Sequence, residues 1–435
     1  MRAREYALRL LCDYEASGKY VNLSLSSHML DSVAPEERAF VTSLFYTAVE
    51  HKLTYDYYIA TFAKRSVDKL SDHTKNILRL GICQIVDMKN IPTYAAVNET
   101  VKLAKNPGER AFVNGVLRAV SSADELPLPP RDKNEARFLS VKYSIPLATV
   151  KHFISLLGAD ATEKLLAKFN ETAPLTLTVN TKRISVCDFI KKLKSAGYTA
   201  TRAELSHISV RLFASHDPRK LPGFAEGEFF VQDEASALAA LVLTEGGAER
   251  IADVCSAPGG KSFAMAILSG DNARIDSFDL HESKMSLITS GRDRLGLSSV
   301  TASVRDARSP DSADFGSYDA VLCDAPCSGL GVFAKKPDLR YKDISLASEL
   351  PALQYEILTA SSAYLKAGGV MVYSTCTLNN AENCDVVRRF ASENTDFVLE
   401  DFTVGTLSSE GGMLTLYPHV HNTDGFFISK LRKNK

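Results

Sequence analysis

The chain has 435 residues, 45% of them hydrophobic, with 51 Lys+Arg against 52 Asp+Glu and a formal net charge of −1. That length and balance exclude a disordered or fibrous chain and predict two or three globular domains with ample core. The charge is uneven: residues 1–120 carry 16 basic against 13 acidic side chains, 131–225 carry 16 against 8, and 226–435 carry 19 against 29. A basic middle next to an acidic C-terminal part either touches a polyanion or is a solvated lysine face, and charge alone leaves both open.

The first stretch, MRAREYALRLLCDYEASGKY, is interrupted by Asp13 and Glu15 too early for a signal peptide. No run of about 18 apolar residues occurs, so no membrane association is expected. Eight cysteines are scattered along the chain with no CxxC pair. That pattern predicts reduced thiols in a cytoplasmic protein and no metal site.

Residues 1–120 read as helices. Ile77, Leu78, Ile82, Ile85 and Val86 recur with helical period, as do Phe112, Val113, Val116, Leu117 and Val120. The segment SSADELPLPPRDKN carries Pro127, Pro129 and Pro130 and marks a boundary near residue 130. Residues 131–226 then read as a small basic α+β module. It holds a strand at 174–182, an amphipathic helix at 185–198 and a second strand at 208–213. From residue 227 to 435 strands and helices alternate, with apolar strand runs at 250–255, 274–280, 300–304, 318–324 and 368–376. This predicts a Rossmann-like, doubly wound α/β sheet. MLTLYP (413–418) and GFFISKL (425–431) are close enough to form an antiparallel hairpin at one edge. The fold class is therefore multidomain: an all-α bundle, a small α+β module and an α/β domain.

Chemistry concentrates in the last domain. In ADVCSAPGGKSFAMAIL a strand leads through Gly259 and Gly260 into a helix, so backbone can approach a ligand at the helix N-terminus. Asp279 ends the next strand, where an acid can accept both hydroxyls of a ribose, and Asp306 follows the third. Together they predict an adenosine ligand. The lack of a pyrophosphate fingerprint favours S-adenosylmethionine over a dinucleotide. Two further motifs, VLCDAPCSGLG and YSTCTLNNAEN, place Cys327 and Cys376 just beyond neighbouring strand ends, which converge on one crevice. Cys12, Cys83, Cys187, Cys255 and Cys323 read as small buried hydrophobes. Cys327 and Cys376 do not, because both lie in polar loop motifs. A thiolate that adds to carbon 6 of a pyrimidine makes carbon 5 nucleophilic, which is a reason to place thiols at such a site. Which of the two attacks is open on this reading.

VCSAPGGKS, DAPCSGLG and YSTCTLNNAEN together resemble the RNA cytosine-C5 methyltransferases. FFVQDEASALAA (229–240) is similar to the segment that opens their catalytic domain, and PLTLTVNT to a strand of the module before it. Residues 1–120 resemble the antitermination factor NusB, notably IPTYAAVNETVKLAK (91–105) and FVNGVLR (112–118). The combination points to the bacterial 16S ribosomal RNA branch of that methyltransferase family. The resemblance implies a NusB-like RNA-binding domain at 1–130 and a catalytic domain at 227–435. It implies Cys376 as nucleophile, Cys327 as the group that assists release, and Asp324 beside the target base. It also implies cofactor contacts from Cys255, Ser256, Ala257, Pro258, Gly259, Gly260, Lys261, Asp279, Asp306 and Asp324. The expected partners are S-adenosylmethionine and 16S ribosomal RNA, and the expected state is a monomer. Gly291 stands where that family often has Asn, and Lys335 and Lys336 where arginines are common. The competing readings are a tRNA methyltransferase and a non-catalytic RNA-binding assembly factor.

Overall fold

A computed structural model describes residues 3–17, 33–213 and 217–435. The chain forms two compact units, one of Met1–Asn170 with Lys335–Lys342, the other of Glu171–Ala334 with Asp343–Lys435. No helix among the described residues is long and apolar enough to cross a membrane.

In the first unit the described helices are α1 (Ala3–Ser17), α2 (Pro35–Glu50), α3 (Lys52–Ala63), α4 (Asp72–Val86), α5 (Thr93–Val101), α6 (Pro107–Ser121), α7 (Glu135–Tyr143), α8 (Leu147–Leu157) and α9 (Ala159–Phe169). Their ends follow local chemistry. Ser71 caps α4 by accepting from the Thr74 amide, and Asn106 caps α6 with Pro107 in its first turn. The apolar stripes meet as the periodicity predicts: Ile77, Leu78, Ile82, Val113, Val116, Leu117 and Val120 are buried in one core. Inside it Arg79 is neutralised by Asp56 and Glu15, both at 2.6 Å.

The division between units falls after Asn170, whereas the proline-rich stretch near residue 130 was the expected boundary. Helices α7–α9 pack with the bundle: the Leu53 amide donates to Ser144 Oγ at 3.0 Å and Thr54 Oγ1 to the Val141 carbonyl at 2.6 Å. The segment Lys335–Lys342 is also part of this unit. Arg340 is wholly buried and donates to Asn170 Oδ1 at 2.9 Å, while the Tyr341 hydroxyl donates to the Glu50 carbonyl at 2.7 Å.

The second unit holds two sheets. In the small one, β1 (Leu175–Val179), α10 (Val186–Ser195), β2 (Ala200–Arg202), β3 (Ser209–Leu212) and β4 (Phe229–Val231) give an antiparallel order β2-β3-β1-β4. The large one contains α11 (Glu234–Thr244), β5 (Arg250–Asp253), α12 (Gly260–Leu268), β6 (Arg274–Asp279), α13 (Met285–Leu295), β7 (Val300–Val304) and β8 (Tyr318–Asp324). It continues with α14 (Leu350–Ser362), β9 (Leu365–Thr375), α15 (Cys384–Glu393), β10 (Phe397–Leu399), a ribbon of β11 (Thr403–Val404) with β12 (Leu407–Ser408), β13 (Met413–Leu416), α16 (Pro418–His421) and β14 (Phe426–Lys433). The strand order is β10-β14-β9-β8-β5-β6-β7, with β13 also on β14. Strands β5 to β9 are parallel, and β14 is antiparallel to β9. The expected hairpin forms, with Leu414 opposite Ile428. Its loop contains α16, and β14 lies inside the sheet because its second half also pairs with β10.

Alternate residues of each strand serve opposite faces. Ile251, Ile275, Ala320, Leu322, Val372 and Ile428 join one core with α11 and α12. Ala252, Val321, Cys323, Met371, Tyr373 and Phe427 join the other with α14 and α15. Cys83 and Cys323 are buried as expected; Cys187 is instead exposed, because the amphipathic helix α10 turns that position to solvent. The two sheets are joined by buried polar bonds: Arg211 meets Glu234 at 2.6 Å and Asn180 Nδ2 donates to the Leu295 carbonyl at 3.0 Å.

Candidate active site

The strand order reverses between β5 and β8, since β5 continues outward through β6 and β7 while β8 continues through β9. In an open parallel sheet this is where loops diverge and leave a crevice at the carboxyl ends. The glycine loop follows β5 and the first thiol motif follows β8, so both lie there.

The loop is held by backbone. The Ser256 amide donates to the Phe278 carbonyl at 2.8 Å, and the Gly259 amide to the Ser256 carbonyl at 2.7 Å. Ala257 and Pro258 between them are joined by a cis peptide bond. Gly259 has φ +107°, and a Cβ there would stand 2.4 Å from Phe263. The same ring would meet a Cβ on Gly291 at 2.6 Å, so the departure at residue 291 makes room for Phe263. Gly260 opens α12. Asp279, at the end of β6, is buried and accepts from the Ala257 amide at 3.3 Å and the His281 amide at 3.1 Å. Lys284 Nζ lies 3.4 Å from it. The structure thus brings Asp279 to the loop. Asp306 sits two residues beyond β7, and its carboxylate is taken up by the Arg308 fork at 2.8 Å, which holds it below the usual carboxylate range. Burial pushes the Cys255 thiol up, so that side chain is a neutral member of the loop.

Across the crevice, Lys261 Nζ donates to Asp324 Oδ2 at 2.6 Å, and Ser374 Oγ donates to Asp324 Oδ1 at 2.7 Å. Burial works against the Lys261 charge, but Asp324, then Asp253 and Cys376, outweigh it and leave the ammonium above its ordinary value. Cys327 and Cys376 come together, with Sγ to Sγ at 2.8 Å. The Cys376 amide donates to Cys327 Sγ at 3.2 Å, and the Gly331 amide to the Cys376 carbonyl at 3.0 Å. The hydrogen bond with Cys376, together with burial, pushes the Cys327 thiol well up. One sulfur of the pair is thereby held as a thiol.

Sequence reasoning missed the groups behind these motifs. Buried Glu382, Gln354 and Thr377 form a network with half-buried Ser328 under the two cysteines. The one signal for Glu382 was the polar run LNNAEN after Cys376. Gln232 was likewise unremarked: it is buried, its Nε2 has no acceptor among the described residues, and it lies 3.5 Å from where a Cβ of Gly260 would stand.

Comparison with known proteins agrees with this geometry. A family model described as 16S rRNA methyltransferase RsmB/F matches residues 240–432, a NusB family model matches 1–122, and a ferredoxin-like domain of the same methyltransferases matches 146–217. A probable ribosomal RNA small subunit methyltransferase B of Bacillus subtilis is 32% identical over 99% of this chain and 98% of its own. Its counterpart in Synechocystis is 34% identical over 99% of both. The chain belongs to the 16S rRNA methyltransferase RsmB/F family. The solved structure of PH0851 covers 99% of both chains at 25% identity with a TM-score of 0.81. A methyltransferase homologue from Pyrococcus horikoshii covers 69% of this chain and 99% of its own at 27% identity, TM-score 0.61.

As a member of the RsmB/F family the chain is an S-adenosylmethionine-dependent ribosomal RNA methyltransferase with a NusB-like N-terminal part. The residues present fit that cofactor. A side-chain-free turn opens a helix N-terminus, Gln232 Nε2, without an acceptor among the described residues, lies beside it, and a buried carboxylate ends the next strand.

Proposed function

We propose that the chain methylates carbon 5 of a cytidine in 16S ribosomal RNA through a covalent cysteine–pyrimidine adduct. The observation that carries this reading is the Cys327–Cys376 pair, 2.8 Å apart beside the Lys261–Asp324 pair. Cys376 is the nucleophile. Its thiol loses a proton to solvent, the thiolate sulfur bonds to carbon 6, and the electrons of the 5,6 double bond move toward N3. Asp324, at the end of β8, is the group to hydrogen-bond that edge of the base, and Lys261 and Ser374 fix its orientation. Residues Cys255 to Lys261, with Asp279 and Asp306, hold the cofactor, which when bound supplies an electrophilic methyl group. Release requires loss of the carbon-5 proton and cleavage of the carbon-6 to sulfur bond. Cys327 is within hydrogen-bond reach of the departing sulfur and passes it a proton, and the proton lost from carbon 5 replaces the one given. The NusB-like residues and the basic stretch after them are assigned to binding the ribosomal RNA, and the protein acts as a monomer.

The test separates the thiols. Cys327→Ala leaves attack intact and blocks release, so it should accumulate a covalent protein–RNA complex containing methylated RNA, seen as a shifted band on a denaturing gel. Cys376→Ala and the double variant should give no band. A band from Cys376→Ala alone would reverse the roles, and no band from any variant would argue for direct, non-covalent transfer.

A further inference from the structure

Glu382 is 0% exposed. Among the described residues no Lys or Arg forms an ion pair with it. A buried carboxylate without a cation is costly unless donors surround it. Here they do. The Ser328 amide (2.9 Å) and Gln354 Nε2 (3.0 Å) donate to Oε2, and Ser328 Oγ (2.6 Å) and Asn379 Nδ2 (3.0 Å) to Oε1. These donors come from the loop after β8, the loop after β9 and helix α14.

Two of the attachments bracket Cys327. Gln354 Nε2 also donates to the Pro326 carbonyl at 2.9 Å, so the residues before and after Cys327 both hang on the Glu382–Gln354 pair. A third links the two motifs: Ser328 Oγ and Thr377 Oγ1 are 2.7 Å apart, each next to a cysteine. Glu382 is itself tied to the sheet, since the Tyr373 hydroxyl donates to its carbonyl at 2.6 Å and Asn383 Nδ2 to the Thr377 carbonyl at 2.9 Å. Cys376 directly follows the last residue of β9 and needs no such support. Cys327 stands three residues beyond β8 in a loop without regular structure.

We propose that Glu382 is the positioning residue that holds Cys327 against Cys376 and so sets how fast the covalent adduct breaks down, without acting on its formation. This rests on the covalent reading above. A glutamine at 382 keeps the volume but presents a donor where one oxygen must accept, so it loosens the Cys327 loop while β9 still presents Cys376. The negative charge of Glu382 also contributes, behind the Cys376 hydrogen bond and burial, to keeping the Cys327 proton in place.

The experiment compares Glu382→Gln, Ser328→Ala and Cys327→Ala in the full chain, with 16S RNA carrying unmodified cytidine. It reads the fraction trapped as covalent complex, multiple turnover, and affinity for S-adenosylhomocysteine by calorimetry. Glu382→Gln should raise the trapped fraction and lower turnover by about tenfold or more, the scale expected for a misplaced group, with nucleoside affinity within about twofold. Ser328→Ala should move both in the same direction by less. It keeps the carboxylate, and so carries the test if Glu382→Gln does not fold. Loss of turnover without trapping, or wild-type turnover, would overturn the assignment while Cys327→Ala still traps. If Cys327→Ala traps nothing, the covalent reading fails and this inference falls with it.

Discussion

The two sides of the crevice are shaped by different means. On the β5–β6–β7 side the turn is drawn mainly by backbone amides and carbonyls, and the buried Asp253 carboxyl below the loop takes a side-chain bond from Ser262 at 2.6 Å. On the β8–β9 side Cys376 stands at a strand end but Cys327 is placed by side chains, and Glu382 gathers donors from three segments. A backbone-built surface suits a ligand that must be bound. A side-chain network suits groups that must be placed to a fraction of an ångström for chemistry. The difference predicts that substitutions on one side change affinity and on the other change turnover.

The largest effect tests the β8–β9 side. Cys376→Ala should lower turnover by roughly 10⁴-fold or more, while calorimetry shows unchanged S-adenosylhomocysteine binding. Retention of a few per cent of turnover would remove Cys376 as nucleophile and blur the contrast between the sides.

Next is the buried carboxyl below the loop. Burial raises Asp253 from 3.8 to about 7, against the hydrogen bond from Ser262, the Lys261 charge and a backbone bond at Cys255. Between those values the unfolded chain has lost this proton and the folded chain keeps it. Stability should therefore fall as pH rises from about 4 to 7 and level off above. The span corresponds to a contribution of up to roughly 4 kcal/mol. Urea unfolding at pH 5 and pH 8 measures it, and Asp253→Asn should flatten the dependence. An unaltered slope would assign it to other groups.

Asp279→Ala should weaken S-adenosylhomocysteine binding by about 1.5–3 kcal/mol, the worth of a charge-assisted hydrogen bond, with the trapped-complex fraction unchanged. A turnover loss at saturating cofactor would show that the two sides are not separable.

The smallest effect lies on the small sheet. Lys191 and Lys192 of α10 are paired with Asp188 and Glu228 at 2.9 and 2.8 Å, whereas Lys194 is exposed and has no ion pair among the described residues. Of the three, Lys194→Glu should most reduce RNA affinity, lowering the slope of log affinity against log salt by about one if it meets a phosphate. An unaltered slope in filter binding would mean that this helix faces away from RNA.

Much of the catalytic fold was legible because strands buried on both faces read as apolar runs bounded by turns. Strand β8 spans 318–324 in the sequence reading and in the structure alike. The glycine turn, Asp279, Asp324 and both thiols were legible because each ends such a run, and parallel topology sends all run ends to one edge. The hairpin was legible from spacing, but the insertion of β14 within the sheet was not, since pairing partners leave no local signal.

Sequence alone determined the parallel strands, which residue types reach the carboxyl edge, and that two thiols share a crevice, because these depend on local periodicity and on the direction of parallel strands. Tertiary structure decided the rest. It turned Asp306 onto Arg308, paired Lys261 with Asp324, and placed α7–α9 and Lys335–Lys342 with the helical unit. It also put Glu382 beneath Cys327. Each of these is a contact between segments distant in the chain or a choice among polar partners of similar energy. Only the packed positions of the backbone select among them.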